Sequence, residues 1–128
     1  MRNPIKERLL PAVKGGGFCR GDLMVWCGSV IKGEDGRFHM FASCWERELG
    51  FGANWLFHSR VVRAASDTPE GPFRLEETVL PRRGREYFDG MNTHNPYIRF
   101  WNGKYYLYYI GTTYGGPIPT HASQISDQ

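Results

Sequence analysis

Apolar and polar residues alternate along several short runs of the chain, which is the pattern of half-buried β-strands. Four such runs come first, at residues 23–31, 37–43, 59–66 and 73–80. The first two are joined through Asp35-Gly36, a dipeptide that is a strong hairpin signal. The connection at residues 67–72 combines aspartate, proline and glycine, which favours a tight turn. The pattern therefore predicts four consecutive antiparallel strands joined in a meander.

A second, shorter set of strands follows a polar loop at residues 81–94. Residues 96–101 and 104–110 are both β-prone, and Asn102-Gly103 between them is a type I′ turn signal. The two hairpins also resemble each other in sequence. The residues from Gly36 to Phe41 align with those from Gly103 to Tyr108, at an offset of 67 positions. Upstream, Ser29-Val30-Ile31 aligns with Tyr97-Ile98-Arg99 when the first turn is given one extra residue.

A repeated four-stranded meander is typical of the blades of a β-propeller. We therefore predict an all-β fold with antiparallel four-stranded blades, of which about one and a half are present. Residues 1–22 form a lead-in segment, residues 23–80 the first blade, and residues 81–128 a loop and the first half of a second blade. So few blades cannot close a ring, so we expect a truncated propeller. Its unpaired edges favour self-association into a homo-oligomer.

The composition supports an all-β protein and argues against nucleic acid as a partner. The chain has seven Tyr, eight Phe and four Trp, with sixteen Gly and eight Pro that predict many turns. Its formal net charge is only +3. A dense basic cluster, Arg82, Arg83 and Arg85, falls in a predicted loop, where a solvated surface explains it better than a phosphate-binding patch.

Cysteine usage and the N-terminal residues bear on cofactors and location. Cys19, Cys27 and Cys44 form no C-x-x-C pair, so we predict no metal and no cofactor, with Cys27 and Cys44 as buried free thiols.

Residues 1–14 lack the apolar run of a signal peptide, and no segment has transmembrane length, so we expect no membrane association. A cytoplasmic location is expected for the chain as given, and a periplasmic or secreted one is open for a longer parent.

Three stretches carry a resemblance to a known group of proteins. They are Trp26-Cys27-Gly28-Ser29-Val30-Ile31 with residues 35–43, Arg63-Ala64-Ala65-Ser66-Asp67-Thr68-Pro69-Glu70-Gly71-Pro72-Phe73, and His94-Asn95-Pro96-Tyr97-Ile98 followed by residues 102–109. Together they resemble the five-bladed propeller glycoside hydrolases, nearest to family 43. The resemblance implies cleavage of glycosidic bonds by two carboxylic acids that face each other across the sugar. It also implies an aspartate base where this chain has Cys27-Gly28, and a glutamate acid from a later blade.

Two aspartates are therefore the candidates for a catalytic carboxylate. Asp89 comes just before the second inner strand, on the side where the mouth of a channel would form, and it fits either a sugar-facing carboxylate or an Asp-Gly turn. Asp22 precedes the first strand, where a solvated turn residue is the simpler interpretation.

Aromatic and polar residues near the same strand ends are candidates for binding carbohydrate. The predicted substrate-binding residues are Trp26, Ser29, Trp45, Trp55, His94 and Asn95. Trp45 and Trp55 fall in a predicted loop, where an exposed indole suits stacking on a sugar ring. Trp26 in a strand could equally be core, and Asn95 could equally cap the turn into its strand.

Three functional interpretations follow from these residues. The first is hydrolysis of O-glycosidic bonds in glycans by the complete protein, with a carbohydrate as the substrate. The second is a non-catalytic carbohydrate-binding or structural piece, which Cys27-Gly28 favours because a carboxylate is expected there. The third is a module that completes its ring by homo-oligomerisation.

Overall fold

The computed structural model describes residues 4–117 and has two antiparallel β-sheets with very little helix. The strands are β1 (Leu23–Lys32), β2 (Phe38–Glu46), β3 (Arg60–Ser66), β4 (Arg74–Leu80), β5 (Asn92–Trp101) and β6 (Lys104–Thr112). The helical segments are two 3-10 turns, Lys6–Arg8 and Arg47–Leu49, and one α-helical turn, α1 (Asn54–Phe57). β1 to β4 form one sheet in chain order, and β5 and β6 form the second. The predicted all-β class, with a four-stranded meander and a following hairpin, is confirmed.

Two strands are longer than the sequence pattern predicts. β2 continues to Glu46, so Trp45 lies in a strand and is fully buried, and its prediction as a loop residue is wrong. β5 begins at Asn92, well before the predicted start at Pro96. A break in the pairing between His94 and Tyr97 accommodates the proline, which has no N–H to give to the ladder.

The internal repeat is present in the pairing of the strands. In the first hairpin the register is Ser29↔Phe41, Val30↔Met40 and Ile31↔His39, and in the second it is Tyr97↔Tyr108, Ile98↔Leu107 and Arg99↔Tyr106. Each pair of the first hairpin maps onto a pair of the second by the sequence alignment given above, with its one extra residue in the first turn. The hairpins are therefore equivalent structural units, as the propeller blades predicted from the sequence require.

A β-bulge occurs at the same place in both inner strands. The register shifts between Trp26 and Ser29 in β1, and between His94 and Tyr97 in β5. Cys27 in the first bulge has φ 51°, and its equivalent Asn95 has φ 52°. The bulge turns Cys27 outward, so it is exposed and its prediction as a buried thiol is wrong. Bulges of this kind re-aim the side chains next to them.

Side-chain hydroxyls from the first sheet accept hydrogen bonds from backbone N–H groups of β5. The Ile98 N–H donates to Ser29 Oγ at 3.2 Å, and the Asn95 N–H donates to Ser43 Oγ at 2.9 Å. These bonds set the position of the second inner strand on the first sheet, because they fix it at two points along its length.

Thr93 makes a third link, at the start of β5. Its hydroxyl accepts from the Val61 N–H at 3.2 Å and donates to the Leu80 carbonyl at 3.1 Å, while its own N–H donates to Ser59 O. Thr93 therefore pairs backbone groups of β3 and β4 that would otherwise be buried without a partner.

The opposite face of the first sheet carries the main apolar cluster. Leu23, Cys44 and Val62 are buried there, with Phe18, Val25 and Leu75 packed against them. Phe18 belongs to the lead-in segment, which is held in place by two backbone bonds of Gly17, to Glu70 O at 2.6 Å and from the Phe73 N–H at 2.8 Å. Burial raises the pKa of the Cys44 thiol.

Arginines of the loop before β5 donate hydrogen bonds to backbone carbonyls of other segments. Arg82 donates to the carbonyls of Met91 and Phe57, and Arg85 donates to those of Gly115 and Gly116. These bonds hold the loop against α1 and the segment after β6. Within residues 4–117, no helix has the length and apolar character that crossing a bilayer requires.

Replacing Thr93 by Val tests the link between the two sheets. The shape is kept while the Val61 N–H and the Leu80 carbonyl lose their partner, so we expect the free energy of unfolding to fall by about 2 kcal/mol. Thr78→Val, on the exposed part of β4, is the matched control and should change it by less than about 0.5 kcal/mol. Urea denaturation of both variants measures the difference, and equal effects would contradict the role given to Thr93.

Candidate functional site

Five of the six predicted substrate-binding residues lie around one pocket. It has a volume of about 200 Å³ and is lined by Trp26, Ser43, Trp45, Trp55, His94 and Asn95. The lining comes from β1, β2, α1 and β5, so both sheets contribute. We call this the aromatic pocket.

One wall of the aromatic pocket is held by a buried indole. Trp45 is fully buried, and its Nε1–H donates to Gly50 O at 2.9 Å, which anchors the connection between β2 and β3. Phe51 in that connection stacks on Trp26, with ring centroids 4.8 Å apart, and lies 5.6 Å from Trp45. Trp26 is 43% exposed, so part of its indole forms an apolar surface, and its stacking on Phe51 holds the ring in place.

The opposite wall consists of Trp55 and His94. Their rings meet edge to face with centroids 5.2 Å apart. Trp55 follows Asn54, which is buried and donates from Nδ2 to Leu49 O at 2.6 Å. This bond fixes the single turn of α1, and Trp55 remains 38% exposed. Half-exposed indoles on a fixed backbone are suited to contact with a ligand.

His94 of the aromatic pocket and two other residues of the β5–β6 hairpin have buried polar atoms without a hydrogen-bond partner. His94 is 5% exposed and its Nδ1 is unpaired, as are both polar side-chain atoms of Asn92 and the hydroxyl of Thr112. Asn92 is two residues before His94 in β5 and lies opposite Thr112 in β6, so the three side chains share a face of the hairpin. Unsatisfied buried groups of this kind are normally completed by ordered water or by a ligand.

Ser29 and Asp22 lie outside the aromatic pocket. The Ser29 hydroxyl is used between the sheets, where it accepts from the Ile98 N–H. Asp22 is 61% exposed and forms an ion pair with Arg20 at 2.6 Å. Its hydrogen bond from Arg20 holds the pKa of the Asp22 carboxyl below its usual value.

Asp89 is buried and fully engaged in structural contacts. Only 2% of its side chain is exposed, and it accepts hydrogen bonds from Arg83 Nε at 3.1 Å and from Tyr109 Oη at 2.7 Å. Burial by itself raises the pKa of Asp89, but the bonds from Tyr109 and Arg83 outweigh it and the pKa is lowered. A Cβ at Gly111 would collide with the Cβ of Asp89, so the carboxylate is packed against β6.

The aromatic pocket therefore combines binding groups without an acid pair. No carboxylate of residues 4–117 lines it, and neither Asp22 nor Asp89 is among its residues. Cys27, at the position where the family resemblance implies a base, is exposed in its bulge next to Trp26. In the same part of the chain, no three His, Cys, Asp or Glu side chains form a ligand set for a metal ion.

Three residues of the site are missing from the sequence-based prediction. Ser43 continues the face of β2 that carries His39 and Phe41, so the period of two could have indicated it. Phe51 is an aromatic residue in a glycine-rich loop, which is a weaker signal. Asn92 could not have been found, because the predicted strand began after it.

Comparison with solved structures finds a likeness to Zg3597, a family 117 glycoside hydrolase produced by the marine bacterium Zobellia galactanivorans. The TM-score is 0.59 at 18% sequence identity, and the match covers 73% of this chain and 31% of that chain. The chain thus spans less than a third of that enzyme, and at this identity the likeness concerns the fold. No protein-family model and no curated protein matches the sequence. The likeness therefore supports the predicted fold, and both glycoside hydrolase activity and membership of family 43 stay predictions.

Replacing Asp89 by Asn tests whether this carboxylate is structural. Loss of its charge-assisted bonds should lower the free energy of unfolding by about 2 kcal/mol at neutral pH. Since the pKa of Asp89 is lowered in the folded state, its contribution is present above the ordinary carboxyl pKa of about 4 and is lost as the pH falls further. Urea unfolding of both proteins should therefore show a gap that is constant near neutral pH and narrows in acid.

Asp67→Asn is the matched control, because the Asp67 side chain is 94% exposed. It should change stability by less than about 0.5 kcal/mol. A variant at Asp89 that is as stable as the wild type at every pH would contradict the structural role.

Proposed function

We propose that this chain supplies a carbohydrate-binding pocket to a glycoside hydrolase-like propeller. The observation that carries the proposal is the convergence of three indoles and a buried histidine on one pocket of about 200 Å³. The fold-level likeness to a glycoside hydrolase is compatible with it. The ligand that fits this chemistry is a sugar residue of a glycan.

The proposal is based on the chemistry of sugars, which have an apolar C–H face and polar hydroxyl groups. One face of a pyranose or furanose ring presents C–H groups that pack against an aromatic platform. Within the aromatic pocket, Trp26 and Trp55 are the partly exposed indoles that could offer such platforms, and Trp45 is buried beneath them. Sugar hydroxyls would meet the polar groups of His94 and Asn95 at the β5 side of the pocket.

Hydrolysis of O-glycosidic bonds is proposed for the complete protein. It needs an acid and a base or nucleophile across the scissile bond, at about 5–10 Å from each other. The aromatic pocket offers neither among its lining residues, and Asp89 is committed to Arg83 and Tyr109. The two carboxylates would therefore come from other parts of the complete polypeptide.

A second candidate is carbohydrate binding without turnover. It is favoured by one observation, the exposed Cys27 in the bulge where the family resemblance implies an aspartate base. Under this proposal the aromatic pocket holds a sugar and no part of the protein cleaves it.

Calorimetric titration with a panel of plant and microbial oligosaccharides tests the binding proposal. We expect at least one ligand of the panel to bind, and Trp26→Ala and Trp55→Ala each to weaken it by about tenfold, since each removes a stacking surface. Phe88→Ala is the control: Phe88 is 69% exposed and lies outside the aromatic pocket, so affinity should not change.

The outcomes separate the two candidates. Failure of every glycan to bind, or equal affinity in the tryptophan variants, would overturn the assignment of the aromatic pocket. Release of new reducing ends from the bound glycan by the complete protein supports hydrolysis, and binding without release supports the second candidate. Release by this chain alone would contradict the proposal that the acids come from elsewhere.

A further inference from the structure

We propose that Arg82 is a positioning residue of the aromatic pocket, because its guanidinium joins the end of α1 to the start of β5 and so sets the spacing between Trp55 and His94. Trp55 belongs to α1 and His94 to β5, so this wall of the pocket depends on two separate segments. Where the inference concerns affinity for a glycan, it rests on the proposed function. The positioning of the indole by Arg82 does not.

α1 is too short to hold its own position. It is a single turn, Asn54–Phe57, and its N-cap residue Ala53 makes no side-chain capping bond. A helix of this length is marginal by itself, and its last carbonyls have no partner within the turn. The connection before it contains Gly50 and Gly52, both at positive φ. The direction of the Trp55 indole therefore depends on bonds from other parts of the chain.

Arg82 supplies such bonds at the end of the turn. Its Nη2 donates to the Phe57 carbonyl at 2.6 Å, and the same nitrogen lies 3.2 Å from Nδ1 of His58, the next residue. Because an arginine can only donate, that histidine nitrogen accepts. A basic side chain at the end of a helix commonly bonds to its last carbonyls in this way. Tyr114 adds a longer bond, from its hydroxyl to the Phe57 carbonyl at 3.3 Å.

The same guanidinium also bonds to the segment that leads into β5. The Arg82 Nε donates to the Met91 carbonyl at 3.0 Å, and Met91 is buried. β5 begins at the next residue, Asn92, and His94 is the third residue of the strand. One side chain therefore connects both segments of the wall, which an arginine can do because its donors form a rigid planar fork.

The backbone beside Arg82 is itself held in place. The N–H groups of Arg83 and Gly84 both donate to the Gly90 carbonyl, at 2.9 and 3.3 Å. These two bonds close the loop between β4 and β5, so the Arg82 side chain starts from a fixed backbone. The contact that this arrangement maintains in the pocket is the edge-to-face packing of Trp55 on His94, whose ring centroids are 5.2 Å apart.

Arg85, in the same loop, has different partners and supplies the matched control. It donates to the carbonyls of Gly115 and Gly116, which follow β6. Replacing Arg85 by Met thus removes the same charge and the same kind of bond as replacing Arg82 by Met. It leaves the carbonyls of Phe57 and Met91 with their partner.

Fluorine NMR of the protein labelled with fluorotryptophan tests the positioning without any ligand, and Trp55→Phe assigns the resonance of interest. Arg82→Met should shift or broaden the Trp55 resonance and leave that of Trp101 unchanged, because Trp101 is at the far end of β5. Arg82→Lys should behave as Arg82→Met does, since an ammonium lacks the fork that joins two carbonyls. Arg85→Met should leave the Trp55 resonance as it is in the wild type. An unchanged Trp55 resonance in either Arg82 variant would overturn the proposal.

Calorimetric titration with the glycan that binds best in the panel gives the second readout. Arg82→Met should weaken binding by about fivefold, the effect of losing roughly one net hydrogen bond. It should have no further effect once Trp55 is replaced by Ala, because the two residues act through the same indole. With Trp26→Ala the two effects should add, since Phe51 supports that indole separately. Effects of Arg82→Met and Trp55→Ala that simply add would contradict the positioning role.

The two readouts separate this inference from the proposed function. A wild-type chain that binds no glycan would overturn the proposed function, while the NMR comparison would still decide the role of Arg82. Glycan binding that Arg82→Met leaves unchanged would keep the proposed function and overturn the positioning role.

Discussion

Hydroxyl groups on the first sheet hold the second inner strand in place, and the aromatic pocket depends on this contact. β5 pairs with β6 along one edge only, so the N–H groups on its other edge need partners when they are buried. Ser29 and Ser43 accept two of these bonds, and Thr93 completes the pairing at the strand start. These bonds fix the position of β5 relative to the first sheet. That position brings His94 and Asn95 into the same pocket as Trp26 and Trp45.

The repeated bulge connects this packing to the chemistry of the site. It places a residue with φ near +50° at equivalent points of β1 and β5, immediately after Trp26 and His94. Asn tolerates this conformation better than Cys does. The side chain before each bulge lines the aromatic pocket, so two equivalent positions of the repeat converge on one site. Of the two bulge residues that follow, Asn95 also lines the pocket and Cys27 does not.

Local signals were sufficient for the strands and the repeat, and insufficient for contacts between the sheets. Asn102-Gly103 has positive φ at both positions, as its type I′ turn requires, and the period of two placed His39 and Phe41 on one face. Gly28 within the strand pattern is a signal for a bulge, but it does not say that the Cys27 side chain is exposed, so that exposure was missed. The burial of Asp89 depends on Arg83 and Tyr109, which are partners brought together only by the tertiary fold.

Asp22 and Asp89, the two candidate catalytic carboxylates, are both engaged by neighbouring side chains. A carboxylate that acts on a substrate must keep an oxygen free toward it. Asp89 spends both oxygens on Arg83 and Tyr109, and Asp22 spends both on Arg20. Freeing Asp89 would break the buried bond to Tyr109 that holds its loop against β6, whereas Asp22 is an exposed residue outside the aromatic pocket. His94, by contrast, has a ring nitrogen with no partner within the described residues, and no carboxylate lines the aromatic pocket beside it. If the pocket holds a sugar as proposed, a bond-breaking step would therefore need acids from outside its lining.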